Sequence, residues 1–300
     1  MRADPHYVSS LSQALNSATQ ATNDLASQLS SGLRVGALSD DPGAAAQSVQ
    51  LRSQIARVDT YIQTAASQSS MLQVTGSTLG EVVSQLTSAI SLAVQGANGT
   101  QNASNLQAIT QQLTGVRDQV LALANTSYQG RYLFAGSQGS IIKPFSLDTT
   151  TTPATVTYSG DAVVQSIETP GGQQIQVNLP GSSIFGSGTS GALGALNQLI
   201  ADFTSGVPAA NLAADNAALT SALGQVSTQR SVLNSSLSTI QSTSNYAQTQ
   251  EAQLKAQQST LVAADPATVA TQLKSTQVQY QALLSVVTAL QKVNLFDYLK

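Results

Sequence analysis

Cysteine is absent from this chain of 300 residues, and histidine occurs once, at position 6. The lack of cysteine excludes disulfides, thiolate metal sites and a cysteine nucleophile. With a single histidine, the chain cannot provide a histidine pair to bind a metal, and we expect no histidine-based catalytic triad. We therefore expect no metal, no cofactor and no catalytic residues.

Charge is also scarce, because charged residues make up 9% of the chain and the formal net charge is -3. Such a chain has no basic surface for nucleic acid and no polybasic patch for an anionic membrane. No apolar run approaches the roughly 18 residues of a membrane span, and the N-terminal stretch lacks the apolar core of a cleavable signal peptide. We predict neither nucleic-acid binding nor membrane insertion, and any export would use a route without such a signal.

Narrow apolar stripes with heptad spacing lie near both ends of the chain. Each is about four heptads long and cannot be buried by its own helix, so it needs the other terminus or a neighbouring molecule as partner. This pattern predicts an assembly interface built from the terminal seams. The seam residues are Val8, Leu11, Leu15, Ala18, Thr22, Leu25 and Leu29, and Val269, Leu273, Thr276, Tyr280, Leu283, Val287 and Leu290.

Two further helices should begin at an aspartate followed by proline, Asp41-Pro42 and Asp265-Pro266. The aspartate can cap free N–H groups while proline occupies the first helical position at no cost. For the same reason the neighbouring carboxylates Asp40 and Asp41 are interpreted as structural rather than as an acid–base pair.

Between the terminal segments, apolar periodicity runs from residue 51 to about 95, from 106 to 123 and from 219 to 261. These stretches predict long antiparallel helices that pack on one another. From about residue 130 the pattern changes to short alternating segments, RYLFAG, ATVTYSG, AVVQSIE and QQIQVNL, which predict strands, followed by a short helix at 191–203.

The insertion gives no sign of enzyme activity. It contains no histidine, and its carboxylates, Asp148, Asp161, Glu168 and Asp202, show no motif spacing. The aromatic residues Tyr128, Tyr132 and Phe134 are expected to pack the start of the insertion onto the helices rather than to bind a ligand.

The predicted fold is mainly α, a long antiparallel helical rod resembling a coiled-coil bundle, made of N- and C-terminal segments with a small inserted β-rich domain. We predict a terminal coiled-coil assembly domain at 1–40 and 265–300, a helical rod domain at 41–130 and 205–264, and a β-rich outer domain at 131–204.

The stretch QLSSGLRVGALSDDPGAAAQSVQL at 28–51 resembles the N-terminal signature of the flagellin superfamily. The acidic pair before proline, the stretch YQGRYLFAGSQ followed by KPF, and the ending NLFDYL are more similar to the hook–filament junction branch of that superfamily than to flagellin. The resemblance covers essentially the whole chain.

That resemblance implies an extracellular structural subunit of the bacterial flagellum, a junction adaptor between hook and filament that is exported unfolded by the flagellar type III apparatus. Its implied partners are further copies of itself in a ring or short helical layer, the other hook–filament junction protein, flagellin and an export chaperone. Arg34 is interpreted equally as a solvated loop charge or as an intersubunit contact or loop clamp. The alternatives are flagellin itself, the bulk filament subunit, and a coiled-coil adhesin.

Overall fold

The computed structural model describes residues 5–98, 101–140, 142–206 and 209–296, with side chains over 9–98, 101–140, 142–206 and 211–289. Helices dominate these ranges, as the heptad patterns predict. The helices are α1 Pro5–Ser31, α2 Pro42–Gly96, α3 Ala103–Ala124, α4 Ser182–Phe185, α5 Gly191–Ser205, α6 Ala209–Val262 and α7 Pro266–Phe296. No helix within the described ranges is both long and apolar enough to cross a membrane.

The chain divides into two compact units. The terminal unit comprises residues 1–57 and 250–300, and the central unit comprises residues 58–249. Both boundaries fall inside long helices, α2 and α6. The finer three-part division predicted from the sequence stays a prediction.

In the terminal unit, α1 packs against α7. The end of α1 is held beside the start of α7 by an antiparallel bridge between Leu33 and Ala263. Two backbone bonds flank this bridge, from Arg34 N to Val262 O at 2.8 Å and from Ala264 N to Gly32 O at 2.9 Å. The two terminal helices therefore run antiparallel.

In the central unit, α2 faces α6 in antiparallel register. Tyr61 Oη and Thr243 Oγ1 are 2.5 Å apart, and a methyl group added at Gly76 would lie 3.3 Å from Leu233 Cδ2. The predicted seams form the core here, because Leu72, Leu79, Leu86 and Leu219 are fully buried. Each such leucine contributes about 1.5–3 kcal/mol through removal of apolar surface from water.

Hydroxyl groups along the helices are bonded within their own helix. The Oγ1 atoms of Thr64, Thr87, Thr110, Thr228 and Thr271 each donate to the carbonyl four residues earlier, at 2.8 to 2.9 Å. This arrangement satisfies the side chain without a partner on another element.

The insertion contains three separate two-stranded antiparallel ladders rather than one sheet. The ladders pair β1 (Ser127–Tyr128) with β2 (Arg131–Tyr132), β3 (Phe145–Asp148) with β4 (Thr155–Tyr158), and β5 (Ser166–Glu168) with β6 (Gln174–Gln176). Each predicted strand segment contributes a strand, but only two to four residues long. Strands β1 and β3 were not predicted, because neither lies within one of the four alternating segments.

An aromatic cluster holds the insertion together in place of a continuous sheet. Phe134 and Phe145 each pack edge-on against Phe185, with ring centroids 5.1 and 5.3 Å apart, and Tyr158 lies 4.9 Å from Phe145. All three phenylalanines are fully buried. Aromatic pairs at these separations add about 0.5–1.5 kcal/mol each beyond the area they bury.

Candidate assembly interface

The terminal seams face one another across the α1–α7 pair. Within the described side chains, Val269 is buried, and ten seam residues are half-buried. These ten are Leu11, Leu15, Ala18, Thr22, Leu25, Leu273, Thr276, Tyr280, Leu283 and Val287. Leu29 is exposed, and the side chains of Val8 and Leu290 lie outside the described residues. The two seams therefore bury each other only in part, and their role in assembly stays a prediction.

A groove separates the two helices near their middle. It is lined by Thr19, Thr22 and Asn23 of α1 and by Gln277, Tyr280, Gln281 and Leu284 of α7. Tyr280 thus lies at the edge of the α1–α7 contact, with part of its surface open to solvent.

A second apolar stripe on α7 was missed by the sequence reasoning. Val278, Ala282 and Val286 follow a spacing of four residues, which places them along one side of a helix. All three side chains are exposed, with Val278 at 59% and Val286 at 39%. A helix that is apolar on two sides is normally buried on both. The spacing from 278 to 286 was the signal that could have revealed this surface.

The loop between α1 and α2 is organised by Arg34. Its Nη2 donates to Leu261 O at 2.9 Å, and its Nη1 lies 3.3 Å from Asp41 Oδ2. Arg34 therefore acts as a clamp within its own chain, joining the loop to the end of α6. Whether its exposed surface also meets a neighbouring copy stays a prediction.

The acidic pair has two separate structural roles. Asp40 Oδ2 accepts from Ala37 N at 2.8 Å and Gly36 N at 2.9 Å, which closes the loop. Asp41 Oδ1 accepts from Ala44 N at 3.0 Å, at the first turn of α2. The bonds from Ala37 and Gly36 lower the pKa of Asp40, and the bond from Ala44 followed by that from Arg34 lowers the pKa of Asp41.

Asp265 occupies the corresponding position before α7. Its Oδ2 accepts from Thr268 Oγ1 at 2.6 Å and its Oδ1 from Ala267 N at 3.1 Å. These bonds, with that from Thr268 the larger cause, lower the pKa of Asp265.

Two large apolar side chains are exposed close to this loop. Leu38 is 67% and Val49 is 65% exposed. They border a shallow depression that also includes Val35, Ala45 and Val262. The side chains of Val35 and Val262 are themselves buried and form a small core with Ala44.

The aromatic residues at the start of the insertion have different environments. Phe134 lies in the buried cluster, whereas Tyr128 and Tyr132 are half-buried in the β1–β2 hairpin. Tyr158, which was not singled out in the sequence, donates from Oη to Asp161 O at 2.8 Å or Phe134 O at 3.0 Å.

The carboxylates of the insertion lie in separate hydrogen-bond networks. Asp148 Oδ1 accepts from Thr150, Asp161 accepts from Ser137, and Glu168 accepts from Gln174 Nε2 at 3.3 Å. Asp202 lies beside Asp215 in the central unit. Among the described residues, no group of three or more histidine or acidic side chains is placed to hold a metal ion.

Comparison with known proteins identifies both ends of the chain. The model of the bacterial flagellin N-terminal helical region matches residues 7–139, and that of the C-terminal helical region matches residues 217–299. Together the two models match well over half of the chain.

The chain is similar to relatives of two kinds. It is 31% identical over 170 residues to flagellar hook-associated protein 3 of Salmonella typhimurium, covering 56% of this chain and 51% of the relative. It is 34% identical over 126 residues to flagellin A of Vibrio anguillarum, covering 42% of this chain and 33% of the relative. The chain thus matches about half, or less, of the length of these curated relatives.

Solved structures show the same fold. Flagellar hook-associated protein 3 from Legionella pneumophila aligns over 71% of this chain and 98% of its own, with a TM-score of 0.61 at 15% identity. A structure of FlgL from Xanthomonas campestris aligns over 68% and 98%, with a TM-score of 0.56 at 17% identity. The mainly helical architecture with a small inserted β-rich part, together with the two matched helical regions, shows that the chain belongs to the bacterial flagellin family.

Proposed function

We propose that this chain is a structural subunit of the bacterial flagellum that joins the hook to the filament. The single observation that best supports assembly is the exposed stripe on α7. Val278, Ala282 and Val286 are apolar and exposed, and they lie on a helix that already packs against α1. Leaving such a stripe in water costs about 25 cal/mol per Å² of apolar area, which neighbouring copies would recover by covering it. In this proposal copies associate in a ring or a short helical layer.

The junction role is supported by the relatives named hook-associated protein 3 and by the motifs YQGRYLFAGSQ and NLFDYL. The proposed partners are the other hook–filament junction protein and flagellin, with an export chaperone before assembly. The proposed location is extracellular, on the flagellum. The protein would act by packing alone and not as an enzyme, and Arg34 would support an intersubunit contact through the loop that it holds.

Flagellin is the second candidate, because flagellin A of Vibrio anguillarum is 34% identical over 126 residues. The two roles differ in how assembly ends: a flagellin polymerises indefinitely, whereas a junction subunit stops at a short layer. Loss of the gene should leave hooks intact, with filaments unattached and flagellin released into the medium. Normal filaments in that strain would contradict the junction role.

The assembly surface is tested by Val278→Glu combined with Val286→Glu. Both side chains are exposed, so the melting temperature of the monomer should change little, whereas carboxylates in a desolvated contact should prevent attachment of filaments. Thr288→Glu, at an exposed position on the side of α7 away from Val286, is the matched control and should support attachment. Attachment by the double variant at wild-type levels would show that this stripe is not covered in the assembly.

A further inference from the structure

Two aspartates are buried against each other in the central unit. Asp202, on α5, is 8% exposed and Asp215, on α6, is 7% exposed. Their carboxyl groups lie within hydrogen-bonding reach. Gln198 Nε2 donates to Asp202 Oδ1 at 3.1 Å, while Asp215 Oδ2 is buried without a partner.

The surrounding segments supply no compensating charge. Asp202 is the only charged residue in α5, and Asp215 is the only one in residues 209–229 of α6. Against α5 pack α3, whose residues 103–116 are uncharged, and the end of α2, where Gly96 meets Phe203 and residues 82–96 are uncharged. Helix α4 and strand β4 also contact α5; α4 is uncharged, and the titratable group of β4 is the phenol of Tyr158. Farther along α3, the next charges are Arg117 and Asp118, which pair with each other at 2.7 Å.

Ionising both of two neighbouring carboxylates in such a buried site is energetically unfavourable. Removal from water disfavours the charged form, and a second negative charge nearby disfavours it further. Burial first, then the hydrogen bond and charge of Asp202, raise the pKa of Asp215 to about 6. A proton held between the two groups forms an O–H···O⁻ bond, which is stronger than a neutral hydrogen bond.

We propose that Asp202 and Asp215 form a proton-sharing clasp that holds the end of α5 to the start of α6 in mildly acidic solution and loosens in neutral or alkaline solution. The stabilising contribution is complete below the ordinary aspartate pKa and is lost as the pH rises through the raised value of the folded protein. This direction is opposite to that of Asp40, Asp41 and Asp265, whose pKa values are lowered and whose contributions are lost in acid. The clasp makes one region of the subunit sensitive to pH in a range where those other aspartates stay ionised.

The test is amide hydrogen exchange on the full chain at pH 5 and pH 7.5, corrected for the intrinsic exchange rates. Protection of residues 195–225 should fall about tenfold between the two values, which follows from a folded pKa near 6 and an unfolded pKa near 3.8. In Asp202→Asn the amide can donate to an ionised Asp215 and the second negative charge is gone, so the pH dependence of protection should be smaller than in the wild type. Asp24→Asn, which removes an exposed aspartate of α1 in the terminal unit, should keep the full dependence.

Equal protection of residues 195–225 at both pH values in the wild type would overturn the proposal. A pH dependence of protection in Asp202→Asn as large as that of the wild type would also overturn it. If the variants prove too unstable to compare, carboxyl carbon NMR of wild-type Asp215 decides the matter directly. A titration midpoint near 6 supports the clasp, and a midpoint near 4 refutes it. Exchange within 195–225 and the Asp215 resonance report on the clasp itself.

Discussion

The side-chain amide of Asn125 forms two hydrogen bonds with the backbone of Phe145, in the pattern that a neighbouring β-strand would form. Asn125 Oδ1 accepts from Phe145 N at 2.9 Å, and Asn125 Nδ2 donates to Phe145 O at 3.0 Å. Nδ2 also donates to Leu121 O, at 3.0 Å, in the last turn of α3. One amide therefore joins the end of the helix to the first residue of β3, beside the aromatic cluster.

Asn125→Ala should destabilise the central unit by about 2–3 kcal/mol, because it removes these bonds and leaves the N–H of the buried Phe145 unsatisfied. Chemical denaturation of the full chain, followed by tyrosine fluorescence, would measure the loss. Asn105→Ala is the control, since Asn105 is exposed and its side chain bonds only to Gln101. A loss no larger than that of the control would mean that water replaces Asn125 without cost.

The β1–β2 hairpin turns at Gln129 and Gly130, which have φ values of 50° and 77°. This is the left-handed region, which costs roughly 1 kcal/mol for a side chain such as glutamine but suits asparagine followed by glycine. Gln129→Asn should raise the free energy of unfolding by about 0.5 kcal/mol. Gly130→Ala should lower it by about 1 kcal/mol, and equal behaviour of the two variants would contradict a strained turn.

Tyr280→Glu tests the terminal seam. Tyr280 is half-buried beside α1, in a different unit from the aromatic cluster, so the cooperative unfolding of the central unit should not change. Attachment of filaments should be lost if neighbouring copies cover the seam, because an unpaired carboxylate in a desolvated contact is strongly unfavourable. Thr288→Glu is a better control than Gln277→Glu, since Gln277 lines the same groove as Tyr280, whereas the exposed Thr288 is not part of that groove, of the seam or of the Val278–Val286 stripe. Attachment by Tyr280→Glu would remove the seam from the assembly surface.

Acid should weaken the start of α2. Because the pKa of Asp41 is lowered in the folded chain, its contribution is present above the unfolded value near 3.8 and is lost as the pH falls through the lower folded value. At pH 7, Asp41→Ala should have a lower melting temperature for the terminal unit than wild type, whereas Asp41→Asn, which can still cap, should lose less. The difference in melting temperature between Asp41→Ala and wild type should become smaller as the pH falls below 3.8. A constant difference would show that the carboxylate is not the stabilising group.

The helices could be predicted because their buried residues recur at one regular helical spacing along the sequence. The start of α2 at Pro42, its end near Gly96 and the placement of α5 follow from caps, proline and heptads that are local in sequence. The strands could be placed, but their pairing could not. Ladders of two to four residues are held here by Asn125 and by three phenylalanines that are distant in sequence, and no periodic signal records such contacts.

Among the candidate interface residues, the terminal seam was visible because it repeats. The second stripe on α7 was obscured, since apolar residues on two sides of one helix blur the spacing of each. The contacts of Arg34 with Leu261 could not be predicted either, because 227 residues separate them. The Asp202–Asp215 pair was missed for a different reason: each aspartate is ordinary in its own segment and becomes unusual only beside the other.

The hydroxyl groups that donate back to their own helix have a consequence for neighbouring copies. A helix surface covered with Thr64, Thr87 or Thr228 presents methyl groups and hydroxyls whose protons are already used. In the proposed assembly these hydroxyls would have no proton left to donate to a neighbour, so they would form few directional bonds with it. Registry between copies would then depend on the few apolar stripes, and the subunit could accommodate neighbours of different helical pitch on its two sides.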